Sequence, residues 1–402
     1  MKKFICKHPW SHFEVNNPNG DLTMCCNNNT VLGNVNDADV ETLWNGGKFQ
    51  AIRQRMLDEG AHAMCPHTCP VLHGGKLYED TSWFHELEVE SPVRKNAEAN
   101  EREFTDQKTV LTTLPRWFRF TYSYACNLDC YHCYQREDAK VSHKLPDSFM
   151  ADVPKFAKIA QVVFPFGGEP FFFAPVKDLL DELAGKIEGR FFFITNATLL
   201  TDRIFAMFEK ADISTMAVSL DAASAESFDT LRVRGRNANW EMVTDNLAHL
   251  KELKQRKGFH FMVSMTVNSI NSTEIESFVD LALAYDAEPT LLLVASPDQT
   301  ATFQNEFLTF SKDQVENMLD QIDRSILRMR DLQLIDPEKG LVQLRATILQ
   351  HCVVNNRPVL FSLKSAARRF VHALPAPLQN AISKIVQAFR VRQFESLRNS
   401  KS

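Results

Sequence analysis

Three cysteines, Cys126, Cys130 and Cys133, stand at C-x3-C-x2-C spacing just after an alternating, aromatic run. A structural zinc is closed by four protein ligands and a fully protein-held iron-sulfur cubane by four thiolates, so the triplet suggests a cluster with one metal corner open for reaction. From spacing alone, a zinc loop with a distant fourth ligand is the other reading. Further along, Gly167-Gly168-Glu169-Pro170 sets two glycines, which let backbone approach a ligand closely, before a carboxylate suited to a cationic amine. In an arbitrary sequence such a tetrapeptide is more often a plain turn. Ser219 and Asp221, two apart on one strand, project to the same side, and a serine there together with Arg232 could hold a carboxylate. Arg234 and Arg236 compete for that role, and a surface ion pair is the bland account of Arg232.

The triplet, with His132 before its last cysteine, resembles the signature of the radical S-adenosylmethionine (SAM) enzymes. The resemblance implies that Cys126, Cys130 and Cys133 hold three irons of a 4Fe-4S cluster, whose fourth iron chelates the amino acid end of SAM. It further implies that Gly167, Gly168, Glu169 and Pro170 are the motif that binds the methionine amino group, and that Ser219, Asp221 and Arg232 are cofactor-binding, with Ser219 and Arg232 on the carboxylate. Asn196 is similar to the asparagine of a T-N-G motif, although Ala197 replaces the glycine, and Ala222 stands where a glycine is common after S-x-D. Residues 291–296 show no glycine-rich adenine motif, so the adenine contacts stay unassigned. The implied reaction is reductive cleavage of SAM to a 5'-deoxyadenosyl radical that abstracts hydrogen from a substrate. The implied partner is an electron donor such as flavodoxin or ferredoxin.

Residues 1–75 carry a second set of cysteines, Cys6, Cys25, Cys26, Cys65 and Cys69. A turn and short strand lead into Cys25, and 39–57 looks helical despite Gly46-Gly47. Pieces this small make a poor core and call for a staple, which four soft thiolates would supply. Their spacing, with Gly20, Leu32-Gly33-Asn34-Val35 and Leu43-Trp44-Asn45 between them, resembles the SPASM and twitch modules that hold auxiliary 4Fe-4S clusters beside radical SAM barrels. The resemblance assigns Cys6, Cys25, Cys65 and Cys69 as ligands and leaves Cys26 spare. In the family such a module commonly follows the barrel, whereas here it comes first. Zinc, with His62, His67 or His73 recruited, is the alternative. Modules of this kind often accompany enzymes that modify peptides or proteins, so a peptidyl substrate is expected, with a carbohydrate or other small molecule as the alternative. From a different class, a non-catalytic iron-sulfur or zinc scaffold for binding or electron transfer would also use these cysteines.

These residues must be positioned by the elements around them. After a charged connector over 76–114, short apolar strands alternate with amphipathic helices through 115–300, the pattern of a parallel sheet with crossover helices. Strands are expected at 117–124, 161–166, 190–195, 215–220, 260–267 and 290–295. The clearest helix is 240–253, and another starts at Thr273 with Glu276 completing a capping box. The fold class is therefore α/β, and the resemblance sharpens it to a partial (β/α)6 TIM-like barrel with a small N-terminal cysteine-rich module and a helical C-terminal extension over 301–402. Polar or glycine residues do end the strands, where a parallel barrel keeps its site: Cys126, Gly167-Gly168-Glu169, Asn196, Ser219 with Asp221, and Asn268.

Within the extension, 314–330 reads as a helix with Val315, Met318, Leu319, Ile322 and Ile326 on one face. Residues 364–402 then carry eight Lys or Arg against a single acidic residue, Glu395, beside an apolar stripe. A helix of that kind suits an anionic membrane surface or an acidic partner, while the plainer reading packs it on its own protein. Cys352 reads as a buried structural thiol. A chain of 402 residues, 44% hydrophobic and 24% charged, has the composition of an ordinary globular protein. Its net charge of -5 gives no reason to expect nucleic acid. The N-terminus lacks the apolar stretch of a secretory signal, and an odd count of nine cysteines in local clusters argues for metal over disulfides. A reducing cytoplasm is the expected compartment.

Overall fold

In the computed structural model, residues 3–66, 69–73, 82–133, 135, 143–233, 238–294 and 308–354 are described. The end of the sixth expected strand, His67, Arg234, Arg236 and the basic stretch 364–402 lie outside them, as do the side chains of His73 and Cys352.

One nine-stranded sheet runs through the molecule in the order β3-β2-β1-β4-β5-β6-β7-β8-β9. The six strands read from the sequence are β4 (Trp117–Thr121), β5 (Val162–Phe166), β6 (Arg190–Thr195), β7 (Ile213–Ser219), β8 (His260–Val267) and β9 (Glu288–Leu293). Each lies parallel to its neighbour in the chain. A doubly wound sheet would reverse its order at a switch point; this unbroken order is that of a β/α barrel, here left open. Helices Asp147–Ala157, Ala174–Leu183, Asp202–Lys210, Trp240–Lys257 and Ile275–Ala284 make the crossovers.

Strand alternation sends side chains to two different places. Phe118, Phe120, Val163, Phe191 and Phe193 join the main core under the helices, while Trp117, Val162 and Phe164, with Phe166, Phe192 and Ile194, form a separate apolar cluster on the inner face. On β8 the helix-facing Phe261, Val263, Met265 and Val267 are buried, whereas Met262, Ser264 and Thr266 on the inner face are only partly so. Fully burying one such large apolar side chain stabilises by about 1.5–3 kcal/mol, so the phenylalanine-rich layer under the helices fixes the strands.

The N-terminal strands β1 (His12–Val15), β2 (Asp21–Cys25) and β3 (Asn28–Asn34) do not form a core of their own. β1 pairs parallel with β4, His12 opposite Trp117 and Glu14 opposite Arg119, so the antiparallel β1-β2-β3 ribbon continues the barrel sheet. Trp10, Phe13, Trp44, Phe49 and Met56 are fully buried in the same core as the barrel strands. The small pieces thus gain their apolar burial from a shared sheet.

The expected helix at 39–57 is two helices, Val40–Trp44 and Gly47–Glu59, broken at Gly46. Arg53 on the second is wholly buried; it donates to Pro9 O (2.9 Å), Thr109 O (2.9 Å) and Trp44 O (3.0 Å), and its guanidinium stacks on Trp44. The connector is more than a solvated charge run: its helix Pro92–Thr105, capped by Ser91, buries Val93, Ala97, Asn100 and Glu103. The capping box at Thr273 does not form. Glu276 sits in the first turn of Ile275–Ala284 and pairs with Arg324, at 2.8 Å, on the helix Lys312–Asp331. That second helix does carry a capping box, between Ser311 and Gln314.

Candidate cluster and cofactor site

β4 ends at Thr121, and the cysteine loop follows from the mouth of the sheet. The glycines of the next strand end serve this loop directly. A Cβ on Gly167, whose φ is +154°, would lie 2.4 Å from Ser123 O, and one on Gly168 would lie 2.2 Å from Tyr124 O and 2.3 Å from Ala125 O. Gly168 N donates to Ser123 O at 3.0 Å. The close approach inferred for these glycines is therefore to the backbone that delivers Cys126, and only a residue without Cβ fits there.

Glu169 is fully buried. Its carboxylate accepts from Thr195 Oγ1 (2.9 Å), Asn196 N (2.8 Å) and Phe171 N (3.2 Å). Burial pushes its carboxyl up to about 7, against those hydrogen bonds. Three donors from the end of β6 and its own turn reach the two oxygens, so Glu169 fixes Asn196 and keeps one acceptor position. Asn196 donates to Asn127 Oδ1 (3.0 Å) and lies 3.6 Å from Cys126 Sγ, and Asn127 in turn donates to Thr198 Oγ1 (2.7 Å). Ala197 takes the left-handed conformation (φ 59°) that suits the glycine of a T-N-G motif.

Asp221 is not on the strand with Ser219. β7 stops at Ser219, and Asp221 lies two residues beyond in a left-handed conformation (φ 58°), so strand alternation does not govern its direction. Its carboxylate instead receives Arg232 Nη1, His132 Nε2 (3.2 Å) and Thr266 N (2.7 Å). Burial would raise Asp221, but Arg232 and His132 beside it hold it below the usual carboxylate range. Arg232 sits on a π-helical turn, Asp229–Val233, and Tyr131 N of the cysteine loop donates to Leu231 O of that turn at 2.7 Å. Such turns recur at functional sites.

Burial pushes the Cys126 thiol up to about 11 and Cys130 up to about 12, and raises Cys133, while Arg232 opposes the shift at all three. Unmetallated, these thiols would stay protonated near neutral pH, and a bound metal replaces the proton. Arg232 Nε is buried with no hydrogen-bond partner among the described residues, a donor left for an anion at this spot. Three soft donors on one loop, a cation against them and an unused N–H fit a cluster with a bound anionic ligand.

In the N-terminal part, Cys6, Cys25 and Cys69 are buried, Cys65 is half-buried, and Cys26 is exposed. Burial raises Cys6 to about 11, and Cys65 and Cys69 act on it as like charges; Cys25 is also raised by burial and feels Cys6. The four thiols assigned as ligands thus share one neighbourhood. It is built by Ala61 N donating to Phe4 O (2.9 Å) and Asn28 Nδ2 to Met64 O (3.0 Å). His62, offered for a zinc site, is exposed. Among the described residues, His8 lies at these thiols, its Nδ1 3.4 Å from Cys6 Sγ. His8, His12 and Glu14 are buried with potential ligand atoms within 4.8 Å of one another. Sequence reasoning missed them, although the i, i+4 spacing of His8 and His12 was a signal. It also missed Asn127, Thr195 and the hydrogen-bonding role of His132.

Residues 120–282 match the family model described as the radical SAM superfamily, and residues 6–70 match SPASM, described as an iron-sulfur cluster-binding domain. The chain thus carries a radical SAM region, residues 120–282, with a SPASM iron-sulfur cluster-binding region, residues 6–70, ahead of it. It is 28% identical over 177 residues to an AdoMet-dependent heme synthase of Methanosarcina barkeri, covering 43% of this chain and 48% of that protein. To the mycofactocin maturase MftC of Mycolicibacterium smegmatis it is 28% identical over 168 residues, 41% of each. The chain thus spans about half or less of the length of these curated relatives. Among solved structures, Streptococcus suis SuiB bound to precursor peptide SuiA superposes with a TM-score of 0.42 at 13% identity, over 82% of this chain and 71% of that one. No helix among the described residues is long and apolar enough to cross a membrane.

Proposed function

We propose that this chain is a radical SAM enzyme that cleaves SAM reductively at a cluster held by Cys126, Cys130 and Cys133 and uses the radical to abstract hydrogen from a peptide or protein. The observation that carries this reading is the convergence of Asn196, from the end of β6, and Arg232, from the π-helical turn after β7, on the three-cysteine loop. Those three thiolates would hold a four-iron cluster, which would supply the reducing electron for SAM cleavage when bound.

The chain's own residues bind, orient and exclude water. Arg232 offers its Nε–H, unpaired among the described residues, to a carboxylate, with Ser219 at the end of β7. Gly167 and Gly168 pin the loop so that the thiols stay in place, and Glu169 fixes Asn196 against Cys126. The apolar inner face, with Phe164 buried and Phe166 and Phe192 partly so, lowers the access of water to a reactive intermediate. Cys6, Cys25, Cys65 and Cys69 hold the auxiliary 4Fe-4S cluster in this reading, for electron transfer or substrate positioning, and the external electron comes from a flavodoxin or ferredoxin. A SPASM module beside the barrel and the likeness to a maturase support a peptidyl substrate. The likeness to a heme synthase supports the small-molecule alternative. The free thiols suit a reducing cytoplasm.

The test is anaerobic. Reconstituted, reduced protein should convert SAM to 5'-deoxyadenosine, and Cys126→Ala should not. A fully assembled cluster that yields none under a range of reductants refutes the proposal.

A further inference from the structure

We propose that Asp221 is the positioning residue of the cofactor site: it locks the Arg232 guanidinium and the His132 imidazole against the three-cysteine loop, so that Arg232 meets the SAM carboxylate as a fixed donor. The inference rests on the function proposed above.

Asp221 is built to hold rather than to bind. Its backbone is fixed on both sides, since Asp221 N donates to Ser264 O (3.2 Å) and Asn271 Nδ2 donates to Asp221 O (2.9 Å). The backbone N–H of Thr266 takes Oδ1 at 2.7 Å. Oδ2 is shared between Arg232 Nη1, from the π-helical turn, and His132 Nε2, from the cysteine loop. With one oxygen on a strand amide and the other between two cationic or polar donors, the carboxylate has little capacity left for a cofactor.

Its effect is therefore indirect, and it joins two elements distant in sequence. One is the loop carrying the cluster cysteines; the other is the turn carrying Arg232. The Tyr131 N to Leu231 O hydrogen bond (2.7 Å) is a second stitch between the same two elements. Arg232 spends one nitrogen on Asp221 and keeps Nε buried and unpaired among the described residues. A guanidinium anchored at one end presents its other donors in a set direction, so less order is lost when an anion binds. Because Asp221 also offsets the Arg232 charge, selection at this point depends on geometry more than on net positive charge.

The test uses the full chain, anaerobically reconstituted and reduced, with iron counted per chain. SAM is titrated while the EPR line shape of the reduced cluster is followed. Asp221→Asn suits the site, since asparagine tolerates the left-handed conformation and still accepts from Thr266 N. It should weaken SAM binding roughly tenfold, in line with the loss of an outer-shell partner, and alter the line shape at saturation. Arg232→Gln should weaken binding at least as much, and the double variant should be no worse than Arg232→Gln alone, because the two act as one unit. Wild-type affinity in Asp221→Asn, or losses that multiply in the double variant, overturns the inference. If Asp221→Asn fails to take up iron, Arg232→Lys carries the test: its ammonium cannot serve Asp221 and an anion as a fork does, so unchanged SAM affinity overturns the positioning role. A wild-type cluster whose EPR signal ignores SAM overturns the proposed function itself, a separate result.

Discussion

Arg119 on β4 donates to the Glu14 carboxylate on β1 at 3.1 Å, across the seam where the N-terminal ribbon joins the barrel sheet. Glu14 is wholly buried and Arg119 nearly so; Arg119 also donates to Asn16 Oδ1 (2.7 Å) and lies over the Phe166 ring. Removing one member of such a pair leaves an uncompensated charge in a dry place. Glu14→Gln or Arg119→Met alone should cost about 3–5 kcal/mol by denaturant unfolding, whereas the double replacement recovers much of that loss. Equal, additive losses in all three variants would contradict the seam as a coupled pair.

Gly168→Ala tests the glycine cradle. The added methyl meets two carbonyl oxygens of backbone rather than a movable side chain. A destabilisation of about 1–3 kcal/mol is expected, with iron uptake by Cys126, Cys130 and Cys133 impaired beyond that of an exposed helical glycine control, Gly340→Ala. Unchanged stability and iron content would remove the steric argument.

Glu169 gives a pH signature in the protein without its clusters. Its folded carboxyl is raised from 4.5 to about 7 by burial. A raised carboxyl stabilises fully at pH values below the unfolded value, and that contribution is lost as pH climbs through the folded one. Relative to Glu169→Gln, the wild type should lose about 3 kcal/mol between roughly pH 4.5 and 7.5. A difference between the two that stays flat over this window would show that the carboxyl is not shifted.

Metal content tests the N-terminal thiols. Cys65→Ala should remove about four irons per chain while the barrel cluster and its SAM response remain, and Cys26→Ser, at an exposed position, should remove none. Zinc in place of the lost iron in wild-type protein would assign the module to zinc.

Much of the barrel could be read directly from the chain, because each parallel strand is a short apolar run and each crossover helix has its own periodic face. The strand-end residues were equally visible as polar punctuation. What did not show was direction. Asp221 departs from strand alternation because β7 ends two residues earlier and the backbone turns left-handed, an event with no sequence mark when the residue is not glycine. Glu169 reads as a ligand to an amine, and the hydrogen bonds it accepts from Thr195 and Asn196, set by a neighbouring strand, do not show in the sequence. The joining of β1 to β4 was also hidden, since strand pairing between residues a hundred positions apart leaves no local period. Without that pairing the N-terminal residues looked too few to bury Trp10 and Trp44.

The β1–β4 ladder also has a mechanical meaning. Cys6 precedes β1 by one short helix and Cys126 follows β4, so the two cysteine-rich regions approach one stiff, hydrogen-bonded step from opposite ends. Sliding one relative to the other would break a register of four residue pairs, from His12 with Trp117 to Val15 with Phe120. The sheet acts as a gauge block that holds the two cysteine-rich regions at a set spacing.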